Sequence, residues 1–286
     1  MFVAMTVREG SQYIIQHLKT ICSEGEATAI SRLVLENLTG GTASPKETEL
    51  TPEQEATLKK ILQRLTAHEP VQYILNESWF CGLKFYVDKN VLIPRPETEE
   101  LVEWIISNCK FPVDELTILD IGTGSGCIPI ALKRRIRKAV VWSCDISDAA
   151  LAVAKKNAAS LGTAINFVPL DFLDQRTWSQ LPSFDIIVSN PPYVPERDKE
   201  TMQPNVLDYE PHTALFVPDN DALIFYKAIA EFGKLHLHKG GTVYLEIHES
   251  LGEATTALFR SAGYQTELKK DIQGKDRMVK AILSFR

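Results

Sequence analysis

The sequence predicts an α/β protein, with an open and largely parallel sheet preceded by a small helical domain. The first ground is a switch of period: apolar residues recur at helical spacing up to about residue 75, whereas from Thr117 short apolar strands alternate with helical stretches. The second is a strand, Gly-loop, helix unit made by 117–121, by Gly122-Thr123-Gly124-Ser125-Gly126, and by a helix over 127–136. The third is that four consecutive strands end in polar or aromatic residues, on the edge where open α/β sheets carry their chemistry.

Composition narrows the function. The 286 residues are 44% hydrophobic and 24% charged, enough for one sizeable core plus a smaller domain. A net charge of -6 gives no overall attraction to a polyanion, which makes nucleic acid a less favoured partner. Cys22, Cys81, Cys109, Cys127 and Cys144 are widely spread with no Cys-x-x-Cys pair, as expected of reduced, mostly buried thiols in a cytosolic protein. His236 and His238 would share one face of a strand, but no third ligand lies near them in sequence, so no metal site is expected. Residues 1–10 hold no long apolar stretch; neither signal peptide nor membrane span is expected, and the cytoplasm is the expected compartment.

Residues 1–75 read as the helical domain. Tyr13, Ile14, Leu18 and Ile21 form one apolar stripe; Ile30, Leu33, Val34 and Leu38 form a second, stopped by Thr39-Gly40-Gly41. Thr51 is placed to cap a third helix with Pro52 in its first position, and Leu58, Ile61, Leu62 and Leu65 are its stripe. Residues 76–95 are a linker, in which the aromatic run 79–87 with Gly82 near its middle predicts a β-hairpin. Ile93-Pro94-Arg95-Pro96-Glu97-Thr98 is a rigid loop that could present Arg95 or Thr98 to a ligand, or could simply lead into a helix opened by Glu97 or Thr98. The sheet domain is expected over 96–286.

The strand ends carry the chemistry. Glycines after Ile121 let backbone N–H groups and a helix N-terminus approach an anionic group. A dinucleotide fingerprint would need Gly where Cys127 stands, which disfavours NAD. The strand 140–144 ends at Asp145, placed to accept from two ribose hydroxyls, since Ser147 or Asp148 suffices to cap the helix 148–161. The strand 165–170 ends in Asp171-Phe172, a polar group and a ring where an adenine would lie, with a core role the alternative for Phe172. The strand 184–188 runs into Ser189-Asn190-Pro191-Pro192-Tyr193. Each Pro fixes its own φ and restricts the residue before it, so Asn190 is a preset acceptor, and Tyr193 adds a flat ring. The tetrapeptide reads as a clamp for a planar NH2 group. A polar, Pro-broken loop over 194–217 follows, suited to cover a substrate. A strand 242–247, a helix 250–262 and strands 265–270 and 277–285 finish the chain.

Together these motifs resemble the S-adenosylmethionine-dependent methyltransferases of the Rossmann-like class I, and more closely the release-factor glutamine methyltransferase family (PrmC, also called HemK). The likeness covers most of the chain from Pro70. It rests on Pro70-Val71-Gln72-Tyr73-Ile74, on Leu92 to Glu99, Leu119 to Cys127 and Val188 to Tyr193, on Tyr209-Glu210-Pro211 with Ala214-Leu215-Phe216, and on Asp271 to Arg277. The resemblance implies a mixed seven-stranded sheet and a helical N-terminal domain that recognises the substrate. It implies methyl transfer from S-adenosylmethionine, released as S-adenosylhomocysteine, to the side-chain amide of the Gln in the Gly-Gly-Gln tripeptide of class-1 peptide-chain release factors, with no metal. By the same resemblance Gly122, Thr123, Gly124, Ser125 and Gly126 face the methionine part, Asp145 the ribose and Phe172 the adenine. Asn190, Pro191, Pro192 and Tyr193 hold the glutamine amide, Asn190 and Pro191 being catalytic and Asn190 also bordering the cofactor.

The chain departs from the family pattern at Asn76 and His248, where Gly is usual, and at His212, where Arg is usual. None of these lies in the clamp. His248 beside Glu246 and Glu249 reads as an acid/base pair or as polar residues closing a strand. The main rival function is methylation of an exocyclic base amine, which would call for a basic face that the sequence does not show. A cofactor-binding scaffold without catalysis is the other, and has no use for the clamp. Release factors are the expected partners, with no membrane and no direct nucleic-acid contact.

Overall fold

The structure, a computed structural model, describes residues 4–41, 47–109 and 116–284. The chain divides into two packing units, residues 1–77 with 203–209, and residues 78–202 with 210–286.

The first unit is built from α1 (Val7–Leu18), α2 (Glu24–Thr39), α3 (Pro52–Thr66) and the short α4 (Val71–Leu75). Thr6 and Thr51 each head a capping box, with Glu9 and Gln54 as the reciprocal partners. The box at Thr6 starts α1 earlier than its apolar stripe suggests. The helix ends at Leu18, so Ile21 falls outside it and is exposed, contrary to expectation. Gly40 closes α2 in the left-handed conformation, at φ 71°. Ile14, Leu18, Val34, Leu58 and Leu62 form the heart of this small core.

The second unit begins with the antiparallel pair β1 (Ser78–Phe80) and β2 (Leu83–Phe85), turned by Cys81 and Gly82 at φ 49° and 72°. Helix α5 (Pro96–Asn108) opens on Pro96 with Arg95 in the cap position, so neither Glu97 nor Thr98 caps it. Proline at the first position supplies the fixed φ that starts the helix, and Thr98 is buried instead. There follow β3 (Thr117–Ile121), α6 (Cys127–Arg135), β4 (Val140–Asp145), α7 (Asp148–Ser160), β5 (Asn166–Pro169) and β6 (Phe184–Ser189). The next segment, expected as plain loop, holds β7 (Val194–Pro195) paired in parallel with β8 (Phe216–Val217), and α8 (Pro204–Leu207), which belongs to the first unit. The unit closes with α9 (Ile224–His236), β9 (Leu237–Glu246), α10 (Gly252–Ser261), β10 (Tyr264–Lys270) and β11 (Asp276–Leu283). Phe285, the expected end of the last strand, lies outside the described residues.

Seven strands form one mixed sheet in the order β10-β11-β9-β6-β3-β4-β5, with β11 antiparallel to both neighbours and the rest parallel. Alternate residues feed two cores. Leu119, Ile121, Ile187 and Val243 meet α9 and α10, while Ile118, Val141, Val188 and Tyr244 meet α5 and α6. From β3 the chain steps outward to β4 and β5, then returns to β6 on the other side of β3. This is the reversal at which open α/β sheets leave a crevice at the strand ends. His236 closes α9 and stacks on Phe232 at 4.2 Å, whereas only His238 is borne by a strand, so the two rings do not share a strand face. No helix among the described residues is long and apolar enough to cross a membrane.

Candidate active site

At that reversal lies a cavity of about 410 Å³, bordered by the ends of β3, β4 and β6 and by residues 90–98 and 211–225 of the second unit. It brings together Gly122, Thr123, Gly124, Ser125, Asp145, Phe172, Asn190, Pro191 and Pro192. Gly126 and Tyr193 stand behind this lining. A Cβ on Gly126 would lie 3.1 Å from Ala154 Cβ, so that glycine is required by the contact with α7 and by its φ of 81°.

The β3 end is a backbone cradle. Gly122 and Thr123 donate N–H to the Cys144 carbonyl at 2.9 and 3.1 Å, and Gly124 donates to Asp145 Oδ2 at 2.9 Å. Asp145 Oδ1 accepts from Ser147 N at 2.9 Å, while Ser147 Oγ caps α7 through Ala150 N. Asp145 therefore braces the Gly-loop, a role its position in sequence did not disclose, and still has lone pairs to spare. Burial raises its pKa, against the pull of the backbone donors. Beneath the loop Asp120 is fully buried; its Oδ2 accepts from Ser143 Oγ at 2.7 Å, its Oδ1 has no hydrogen bond of good geometry, and burial pushes its pKa up to about 7. Thr123 Oγ1 and Ser125 Oγ are likewise buried with no hydrogen bond of good geometry, although the Thr123 hydroxyl faces Asp120 and that of Ser125 faces Cys127. Buried polar atoms are nearly always satisfied, so the hydroxyls of Thr123 and Ser125, both of which border the cavity, mark a place for a polar ligand. An amino-acid head group fits them, and the cavity falls in the size range of cofactor sites, so these residues fit S-adenosylmethionine. Phe172 borders the cavity from the core: its ring packs 5.6 Å from Trp178 and 5.1 Å from Phe232.

The β6 end is a side-chain network. Asn190 Nδ2 donates to Thr98 Oγ1 at 3.1 Å, and Thr98 Oγ1 donates to Glu246 Oε2 at 2.7 Å. Tyr193 Oη donates to Glu246 Oε1 at 3.2 Å. Burial raises the pKa of Glu246, and burial followed by Glu246 raises that of Tyr193. Ser189 Oγ ties the end of β6 to the Ile121 carbonyl of β3 at 2.7 Å. Arg95 pairs with buried Glu210, whose Oε2 accepts from Ile93 N, so the rigid Pro loop is anchored rather than free. His248 Nδ1 lies 2.8 Å from Ser250 Oγ, and burial lowers its pKa; no bond joins it to Glu246. Sequence reasoning offered Thr98 as a ligand contact or helix opener and Glu246 as a partner of His248, but it did not join the two to each other or to Asn190. The available signal was one carboxylate inside the apolar run Val243 to Ile247.

The Methyltransferase small domain family matches residues 99–207, and the PrmC N-terminal domain family matches residues 12–75. A release factor glutamine methyltransferase of Flavobacterium psychrophilum is 50% identical over 79% of this chain and 79% of its own length. One of Bacteroides thetaiotaomicron is 43% identical over 94% of this chain and 97% of its own. A methyltransferase crystal structure from Pyrococcus furiosus shares the fold, with a TM-score of 0.53 and 14% identity over 82% of this chain and 100% of that one. Identity of 43% over 94% of this chain and 97% of that relative, with 50% over 79% of both chains for the other, on a sheet of this topology, places the protein: it belongs to the release factor glutamine methyltransferase family.

Proposed function

We propose that this chain methylates the side-chain amide nitrogen of the Gln in the Gly-Gly-Gln tripeptide of class-1 peptide-chain release factors, in the cytoplasm, with S-adenosylmethionine as donor. The observation that carries it is that the Asn-Pro-Pro segment opens onto the same cavity as the Gly-loop and Asp145.

An amide nitrogen is a poor nucleophile because its lone pair is delocalised into the carbonyl. S-adenosylmethionine supplies an electrophilic methyl group on a sulfonium and leaves as S-adenosylhomocysteine. Asn190 Oδ1 and the Pro191 carbonyl each accept one N–H of the substrate amide, which orients the nitrogen for in-line attack. Both dipoles also stabilise the positive charge that develops on nitrogen. The surplus proton leaves to water. The electrophile is already charged, so no metal is needed. Gly122, Thr123, Gly124 and Ser125 hold the methionine part, Asp145 the ribose and Phe172 one edge of the adenine, with Gly126 and Tyr193 supporting from behind. Pro192 keeps the clamp extended.

The test is peptide mass mapping of a release factor incubated with this protein and the cofactor, beside a DNA duplex. One added methyl on the Gly-Gly-Gln glutamine is expected; methylation of the DNA alone would overturn the assignment. The helical unit is proposed to dock the release factor. Removing residues 1–77 should then slow methylation of the intact factor while leaving cofactor affinity in place, and an unchanged rate would refute docking.

A further inference from the structure

An asparagine side chain has a donor end and an acceptor end of nearly equal size, and the clamp works only one way round. If Nδ2 faced the substrate amide, two NH2 groups would meet and the hydrogen bond at Asn190 would be lost, leaving only the one to the Pro191 carbonyl. What decides the orientation starts at the cavity wall, where Thr98 borders the cavity beside Asn190, and continues behind it to Glu246. An ionised carboxylate has no hydrogen to give, so at 2.7 Å the Thr98 hydroxyl gives its own to Glu246 Oε2. Thr98 then has only lone pairs to offer Asn190, which must present Nδ2 to it, at 3.1 Å. Oδ1 is left as the acceptor in the cavity that Asn190 borders.

Several features hold this arrangement. Tyr193 Oη occupies the other oxygen of Glu246, so the carboxylate is engaged at both ends. Thr98 and Glu246 are 3% and 2% exposed, which keeps water from substituting for either. The two hydroxyl donors and Arg277 work against the burial that raises the Glu246 carboxyl, toward the ionised form the arrangement needs. Thr98 is itself placed by α5, which Pro96 starts.

We propose that Thr98, its hydroxyl aimed by Glu246, is a positioning residue that sets which end of the Asn190 amide meets the substrate. This rests on Asn190 being the substrate's acceptor, and the experiment separates the two claims. Thr98→Val, Thr98→Ser, Asn190→Ala and the Asn190→Ala/Thr98→Val double variant are compared in single-turnover methylation of an intact release factor, with cofactor Kd, KM for the release factor and melting temperature alongside. Thr98→Val should lower turnover about 10- to 100-fold, by analogy with the partners that orient metal ligands, with Kd and KM little changed. Thr98→Ser should recover most of the loss. On the Asn190→Ala background Thr98→Val should cost nothing further, because the group it positions is gone.

A folded Thr98→Val protein with normal turnover beside a slow Asn190→Ala protein overturns the positioning role and leaves the clamp standing. Losses that multiply in the double variant also overturn it, since Thr98 would then act on its own. Normal turnover by Asn190→Ala removes the clamp itself. Should Thr98→Val fail to fold, Thr98→Cys, with a sulfur that accepts hydrogen bonds poorly, is judged by the same outcomes.

Discussion

The two ends of the cavity each stand over a buried carboxylate, and the carboxylates are in opposite states. Glu246, below the clamp, accepts from Thr98 on one oxygen and Tyr193 on the other. Asp120, below the Gly-loop, accepts from Ser143 on one oxygen, while the other has no hydrogen bond of good geometry, although the Thr123 hydroxyl faces this carboxyl. A satisfied network is rigid and holds a fixed geometry, whereas an orphaned buried acceptor is a cost that a ligand can relieve. The clamp end is thus finished before substrate arrives, as preorganised electrostatic catalysis requires, and the loop end is completed by what it binds.

The sharpest way to break this contrast is Asn190→Ala. It removes a finished dipole from the clamp and should lower turnover about 100- to 1000-fold, by analogy with the loss of an oxyanion-hole donor. Cofactor affinity and the melting temperature should stay near those of the parent protein. Asn190→Asp keeps an acceptor but loses the Nδ2 donor to Thr98 and adds charge near Glu246. It should outperform Ala in single-turnover methylation only if acceptance by the side-chain oxygen dominates. Near-normal methylation by a folded Asn190→Ala protein would show that the finished end is not where the rate is set.

The same contrast explains which parts were legible in the chain. The loop end is local: Gly122 to Gly126, α6 and Asp145 follow one another along a βα unit, and spacing alone put them together. The sheet was legible for the same reason, its strands appearing near their expected positions. The clamp tetrapeptide was visible as a string, but its support was not. Thr98, Asn190 and Glu246 come from three distant segments, and no local period records that α5 and the end of β9 meet there. The start of α5 was misplaced at Glu97 or Thr98 because capping preference is a local rule, and burial of Thr98 against Glu246 overrides it. The brace that Asp145 gives Gly124 was missed because a backbone donor carries no residue-type signature.

Asp145→Ala tests the loop end from its exposed side. Two hydroxyls of a bound ribose lose a charged acceptor, and such hydrogen bonds contribute on the order of 1.5–3 kcal/mol, so cofactor Kd by calorimetry should rise about 10- to 100-fold. The bond that holds Gly124 is lost with it, so Asp145→Asn, which keeps an acceptor for Gly124 N–H, should lose less. An unchanged Kd in a folded Asp145→Ala protein would remove this residue from the site and leave the loop to its backbone.

The last test reaches the unfinished end from below, through Asp120. In the folded chain this carboxyl titrates at about 7, pushed up chiefly by burial, against 3.8 as the ordinary value. Between those values the unfolded chain has released the proton and the folded chain still holds it. Folding therefore binds a proton there, and stability falls as pH rises through this interval and levels off above 7. The contribution is at most on the order of 1 kcal/mol per pH unit. Asp145, Glu210 and Glu246 are also raised by burial and act with the same sign, so the informative quantity is a difference between proteins. Urea denaturation of the parent chain and of Asp120→Asn at pH 5, 6, 7 and 8 should give a shallower fall for the variant up to about pH 7 and parallel behaviour above it. Repeating the series with saturating cofactor sharpens the point: a bound cationic donor would lower the Asp120 pKa, and the difference between parent and variant should shrink. Coincident slopes without cofactor would mean that the free oxygen is satisfied in solution, and the two ends of the cavity would then be alike.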